Sequence, residues 1–83
     1  MASSQPLRSD AYSSPQSALG RAIRLARRKS GVTQIELARQ LGMHRTQLGH
    51  VEQGRKDFQL STLVRIADAL GVPLSMLVRS AEL

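Results

Sequence analysis

The side chains in this sequence with chemistry to offer are mostly cationic. Nine of its twelve Lys and Arg (Arg21, Arg24, Arg27, Arg28, Lys29, Arg39, Arg45, Arg55 and Lys56) fall within residues 17–56, opposed there only by Glu36 and Glu52. A chain charged this unevenly presents a basic face, which attracts polyanions and speeds encounter with them. Charge alone leaves two readings open, a nucleic-acid partner and a surface that is merely soluble. An anionic membrane is disfavoured, because Gly31 and Gly42 break the basic segment and it holds no Trp or Phe. His44 and His50 are six residues apart, with no Cys in the chain and no carboxylate at ligand spacing, so no metal site is expected. A phosphate-cradling glycine loop and a framed Ser/His/Asp set are both missing. The expectation is a binding protein, not an enzyme, with no cofactor and no evident small-molecule ligand.

Length and composition say what can position those side chains. Eighty-three residues make one small domain. Without cysteine it is neither a disulfide-stapled secreted scaffold nor a Cys-ligated zinc module. Hydrophobic residues at 41% against 22% charged suit a globular domain, and with only Tyr12 and Phe58 as aromatics the core must be aliphatic. No apolar run approaches the roughly 20 residues of a membrane span. The opening MASSQPLRSDAYSSPQ has no contiguous apolar stretch and does not read as a signal peptide. A cytoplasmic helical domain is expected.

Residues 1–16, rich in Ser, Ala, Gln and Pro, read as a tail or arm, 17–80 as the domain and 81–83 as its C-terminal end. Ser14-Pro15 suits a helix start, a hydroxyl cap followed by Pro at the first helical position. Leu19, Ala22, Ile23 and Ala26 then form one apolar stripe, and the helix should stop at Ser30-Gly31. Thr33-Gln-Ile-Glu36 is a capping box opening a helix over 34–41, with Leu37, Ala38 and Leu41 inward and Gly42 as a left-handed stop. The pattern predicts a third helix over 45–53 with His44 at its cap and Leu48 and Val51 inward, then a polar loop over 54–59 anchored by Phe58. A fourth helix fits 60–70 (Leu63, Ile66, Ala67, Leu70) and a fifth 74–79 (Leu74, Leu77). No strand is expected.

Residues Thr33 to Gly54, TQIELARQLGMHRTQLGHVEQG, resemble the helix-turn-helix of phage-repressor and Cro-like proteins, the XRE-type regulators. The matching features are Thr33-Gln34, Leu37-Ala38, Leu41-Gly42, the apolar pair Leu48 and Val51, and the run Glu52-Gln-Gly54-Arg55. IRLARRKSGVTQ and LVRIADALGVPLSMLV resemble the first, fourth and fifth helices, so the likeness covers about residues 18–79. It implies an all-α, compact five-helix bundle like the DNA-binding domain of lambda repressor. Independently of the family, two short helices joined by a Gly-containing turn cross steeply, so the second can enter a major groove while the first lies across the backbone.

The resemblance implies roles residue by residue. Arg45, Thr46, Gly49 and His50 lie on the face of the third helix away from Leu48 and Val51 and would contact bases, Arg45 suiting bidentate contact to guanine. Gly49 departs from the family pattern, which more often has a polar side chain there; it either lets the helix approach the groove floor or removes one reader. Gln34, Gln47, Arg55 and Lys56 would contact phosphates, Gln34 where a helix N-terminus favours an anion. Arg27 and Glu52 would form a structural ion pair joining the first and third helices. The implied function is a sequence-specific double-stranded DNA-binding transcriptional regulator acting as a homodimer on a near-palindromic operator. Leu74, Met76, Val78 and Leu83, in the least basic part of the chain, form the expected dimer surface. The competing expectation is a protein-interaction module or antitoxin-type subunit whose main partner is another protein.

Overall fold

A computed structural model describes residues 14–83; the reading of the first thirteen residues as an arm lies outside the described residues. Five helices follow in order, α1 (Pro15–Lys29), α2 (Gln34–Leu41), α3 (Arg45–Glu52), α4 (Leu60–Leu70) and α5 (Leu74–Ala81), with no strand among the described residues.

Local chemistry starts and stops each helix. The Ser14 hydroxyl accepts from the Ser17 N–H at 3.0 Å, and Pro15 fills the first helical position, where no N–H is needed. Arg27, Arg28 and Lys29 occupy the last turn of α1, where cations suit the negative end of the helix dipole. At α2, Thr33 Oγ1 accepts from the Glu36 N–H at 3.1 Å, while Glu36 Oε1 accepts from the Thr33 N–H at 2.8 Å. Gly42 ends α2 at φ 71°, a left-handed value that costs a residue without Cβ little.

Two helix ends differ from expectation. α3 stops at Glu52, with Gln53 as its C-cap, one residue short of the expected end. α5 runs to Ala81, two residues further than its apolar stripe predicted, because Ala81 packs against the core and Glu82 then turns left-handed at φ 58°. Pro15 and Gln16, counted with the tail by composition, belong to α1.

The five bulkiest fully buried side chains, Ile23, Leu37, Leu48, Ile66 and Leu77, come one from each helix, so a single aliphatic core ties all five together. Burying each contributes about 1.5–3 kcal/mol. α1 packs against α5 and α3, and α2 packs against α3 and α4. Two features fix the helix pair that bears the candidate site. Arg65 of α4 donates from a terminal guanidinium nitrogen to the Leu41 carbonyl at 2.7 Å, closing the C-terminal end of α2. Gly20 of α1 is buried where a Cβ would stand 2.4 Å from the Val51 carbonyl oxygen, so α1 meets α3 backbone to backbone.

Candidate nucleic-acid interface

The α2–α3 unit presents the first turn of α3 to solvent. Leu48 and Val51 are buried and anchor one side of α3, which leaves Arg45, Thr46 and Gln47 exposed at its N-terminal end. Gly49 and His50 continue the same outward side and are half-buried. His44 is the N-cap, but its imidazole makes no capping bond; instead the Gln47 side-chain Oε1 accepts from the His44 backbone N–H at 3.0 Å. The Gln47 amide N–H groups stay available to an outside acceptor. Arg55 and Lys56 are exposed in the loop that follows α3, and the Arg55 N–H donates to the His50 carbonyl at 3.0 Å.

The outer ends of α1, α2 and α3 enclose a shallow groove lined by Arg24, Arg28, Thr33, Gln34, Ile35 and Arg45, with Arg27 at its base. Arg24, Arg28 and Arg45 are exposed around the N-terminus of α2, where unsatisfied N–H groups add partial positive charge. The two carboxylates of this half of the chain are both used internally. Glu36 belongs to the capping box; the Thr33 backbone N–H holds its carboxyl below the usual carboxylate value, aided by the Thr33 hydroxyl, against an opposing desolvation and with a lesser contribution from the charge of Arg39. Glu52 is buried. Arg27 Nε donates to its Oε2 at 2.6 Å and a terminal Arg27 nitrogen donates to its Oε1 at 3.2 Å, while the other terminal nitrogen reaches the Val32 carbonyl at 2.9 Å. The structure thus brings Arg27 and Glu52 together and leaves the groove rim basic.

Gln34 is placed differently from a side chain simply aimed at solvent. Its Nε2 donates to Glu52 Oε1 at 2.9 Å, and its Oε1 lies 3.5 Å from a terminal nitrogen of Arg45. One amide N–H and the backbone at the head of α2 remain for an anion. Sequence reading missed this link, along with the close approaches at Gly20 and at Gly54, where a Cβ would stand 2.4 Å from Ser17 Cα. Spacing carries no trace of the Gln34 link, since it joins α2 to both ends of α3. The contact of the Gln16 amide with Asp57, between the start of α1 and the loop after α3, was equally invisible.

At the C-terminal end, Leu74 packs against the core, whereas Met76, Val78 and Leu83 are 39%, 38% and 59% exposed. Leu83 and Leu25 wall one groove between α1 and the end of α5. Further apolar surface lies on α4, at Leu60 and Val64, and on α2, at Ile35. No cluster of three or more His, Asp or Glu able to hold a metal occurs among the described residues. No single described helix is long and apolar enough to cross a membrane.

Comparison with known proteins gives consistent relatives. The profile of a helix-turn-helix domain family matches residues 18–79. The immunity repressor protein of Bacillus phage phi105 is 35% identical over 60 residues, which cover 72% of this chain and 42% of the repressor. Among solved structures, the clp gene regulator ClgR from Corynebacterium glutamicum superposes with a TM-score of 0.81 at 32% identity, covering 83% of this chain and 73% of that one. The restriction-modification controller protein C.AhdI from Aeromonas hydrophila superposes with a TM-score of 0.71 at 29% identity, covering 75% of this chain and 94% of that one. The chain spans less than half the length of the phage repressor it matches.

Proposed function

The chain belongs to the helix-turn-helix family of DNA-binding transcription regulators, and we propose that it binds double-stranded DNA sequence-specifically, as a homodimer on a near-palindromic operator. One observation carries this reading. Glu36 and Glu52 are consumed by a cap and a buried ion pair, so the exposed Arg24, Arg28 and Arg45 face outward beside the first turn of α3 with their charge uncompensated by either. A phosphate backbone is the polyanion that fits, and neutralising it releases counterions.

With α3 in the major groove, Arg45 and Thr46 read base edges, Arg45 by a bidentate contact to guanine worth about 1–3 kcal/mol of discrimination. His50 reaches an edge one turn further on, and Gly49 lets the helix backbone approach the groove floor. Gln34, Gln47, Arg55 and Lys56 take phosphates and fix register. One recognition helix covers only half a site, so two copies related by a two-fold axis would read half-sites about 34 Å apart. Met76, Val78 and Leu83, exposed in the least basic part of the chain, supply the surface between copies, with Leu74 supporting them from the core.

Selection of random duplexes by the purified protein at two salt concentrations tests the reading. An enriched palindrome with separated half-sites, lost at high salt, is expected; binding without sequence preference would sink it. The exposed Leu60 and Val64 favour a second reading, in which the helix-turn-helix is a scaffold for another protein. Affinity for a dry protein interface would then change little with salt, where DNA binding must fall steeply.

A further inference from the structure

The loop after α3, which carries Arg55 and Lys56, is held on both sides of that pair. Gly54 turns left-handed at φ 75°, and a Cβ there would stand 2.4 Å from Ser17 Cα and 2.6 Å from the Ser17 backbone nitrogen, so the loop rests on the first turn of α1. The Arg55 N–H donates to the His50 carbonyl at 3.0 Å, which fixes that residue to the end of α3. Phe58 is half-buried and packs against the core. Between these anchors Asp57 is held by its side chain, whose Oδ1 accepts from the Gln16 amide nitrogen. Lys56 makes no hydrogen bond or ion pair among the described residues, so its backbone takes its course from Arg55 on one side and Asp57 on the other.

The same contact decides where a charge points. Asp57 is an exposed carboxylate beside Lys56 and two residues from Arg55, yet it pairs with neither. A neutral amide at the head of α1 holds it instead, and both cations keep their charge for an outside anion. From this geometry we infer that Gln16 is a positioning residue for Lys56, acting through Asp57. The inference rests on the phosphate-contacting role proposed for Lys56. Without the contact, meeting a phosphate would first require the backbone of Lys56 and Asp57 to be ordered, a cost that a loop already held avoids. The released carboxylate would also compete with phosphate for the lysine.

The test uses the whole protein and its selected duplex, with affinity measured at several salt concentrations. Gln16→Met keeps the length of the side chain and the net charge but cannot donate, and thermal unfolding confirms that it folds. It is expected to lower affinity for every duplex alike by about 3- to 10-fold, with preference among base pairs retained. In Lys56→Ala, which by itself lowers the salt slope by about one unit, the same substitution should add no further loss. Gln16→Glu combined with Asp57→Asn exchanges donor and acceptor at unchanged net charge, and should restore affinity to within about twofold of wild type. Full affinity in Gln16→Met, an equal loss with and without Lys56, or an exchanged pair as weak as Gln16→Met would each overturn the inference. A wild-type protein that binds no duplex would instead remove the phosphate-contacting role itself, and the inference with it.

Discussion

Gly20 of α1 and Val51 of α3 touch through backbone: a Cβ on Gly20 would lie 2.4 Å from the Val51 carbonyl oxygen and 2.7 Å from that of Glu52. The contact cannot give by moving a flexible side chain, because both obstacles are main chain. Gly20→Ala should therefore destabilise by about 1–3 kcal/mol through overpacking, although alanine is worth about 1 kcal/mol more than glycine in a helix. Gly49 is the internal control, with nothing within 4 Å of its notional Cβ. Gly49→Ala should raise stability by about 1 kcal/mol and, on the proposed DNA-facing side, weaken operator binding. Denaturant unfolding of the two variants gives opposite signs; a stabilised Gly20→Ala would show that α1 can move away from α3.

The Arg27–Glu52 pair is buried on both sides, and Glu52 also accepts from Gln34. Glu52→Ala would leave the guanidinium without its counter-ion and should cost about 3–5 kcal/mol. Replacing both partners, as Arg27→Met with Glu52→Leu, removes the desolvation cost together with the attraction and should recover most of that loss. A double variant no more stable than Glu52→Ala would mean that the hydrogen bonds to Val32 and Gln34, rather than charge pairing, stabilise this junction.

The fold was legible because its signals are local. The Thr33–Glu36 box, Ser14-Pro15 and Gly42 each act within a few residues, and the apolar stripes through Ile23, Leu37, Ile66 and Leu77 follow helical spacing. α5 outran its stripe because Ala81 is small and weakly apolar, a signal that only packing reveals. At the candidate site, spacing placed Arg45 and Thr46 on the outward face of α3. It gave no hint that Gln34 would be shared between Glu52 and Arg45, since that arrangement depends on how α2 and α3 cross. The demand for glycine at position 20 was hidden for the same reason: its obstacle lies 31 residues away along the chain.

The capping box carries a pH dependence of definite sign. Glu36 has its folded pKa lowered, chiefly by the Thr33 N–H. Its contribution is complete above the unfolded Glu value of about 4.3 and is lost as pH falls through the lower folded value. The stability difference between wild type and Glu36→Gln should thus be flat from neutral pH to about 5 and shrink below about 4. A difference that grows in acid would contradict the box as the source of the shift.

Met76, Val78 and Leu83 leave apolar surface exposed at the C-terminal end of the chain. Met76→Glu should shift the chain toward monomer in sedimentation and leave its helicity intact, since the side chain does not belong to the core cluster. Weaker operator binding should accompany the shift, because a monomer reads one half-site alone. An intact dimer in this variant would place the interface elsewhere, with Leu60 and Val64 on α4 as one further exposed apolar surface.

Arg45 and Arg55 are both exposed, yet their places predict different failures. Arg45 opens α3 and is the proposed base reader, so Arg45→Ala should relax preference at one or two base pairs per half-site, by about 1–3 kcal/mol. Arg55 follows the helix in a loop, where a guanidinium reaches phosphate more easily than a base. Arg55→Ala should weaken binding to every duplex alike and reduce the salt slope by about one unit. Binding isotherms at several salt concentrations, on the selected site and on single-base variants, separate the two. If Arg45→Ala lost affinity uniformly with a shallower slope, Arg45 would be the phosphate contact, and base reading would pass to Thr46 and His50.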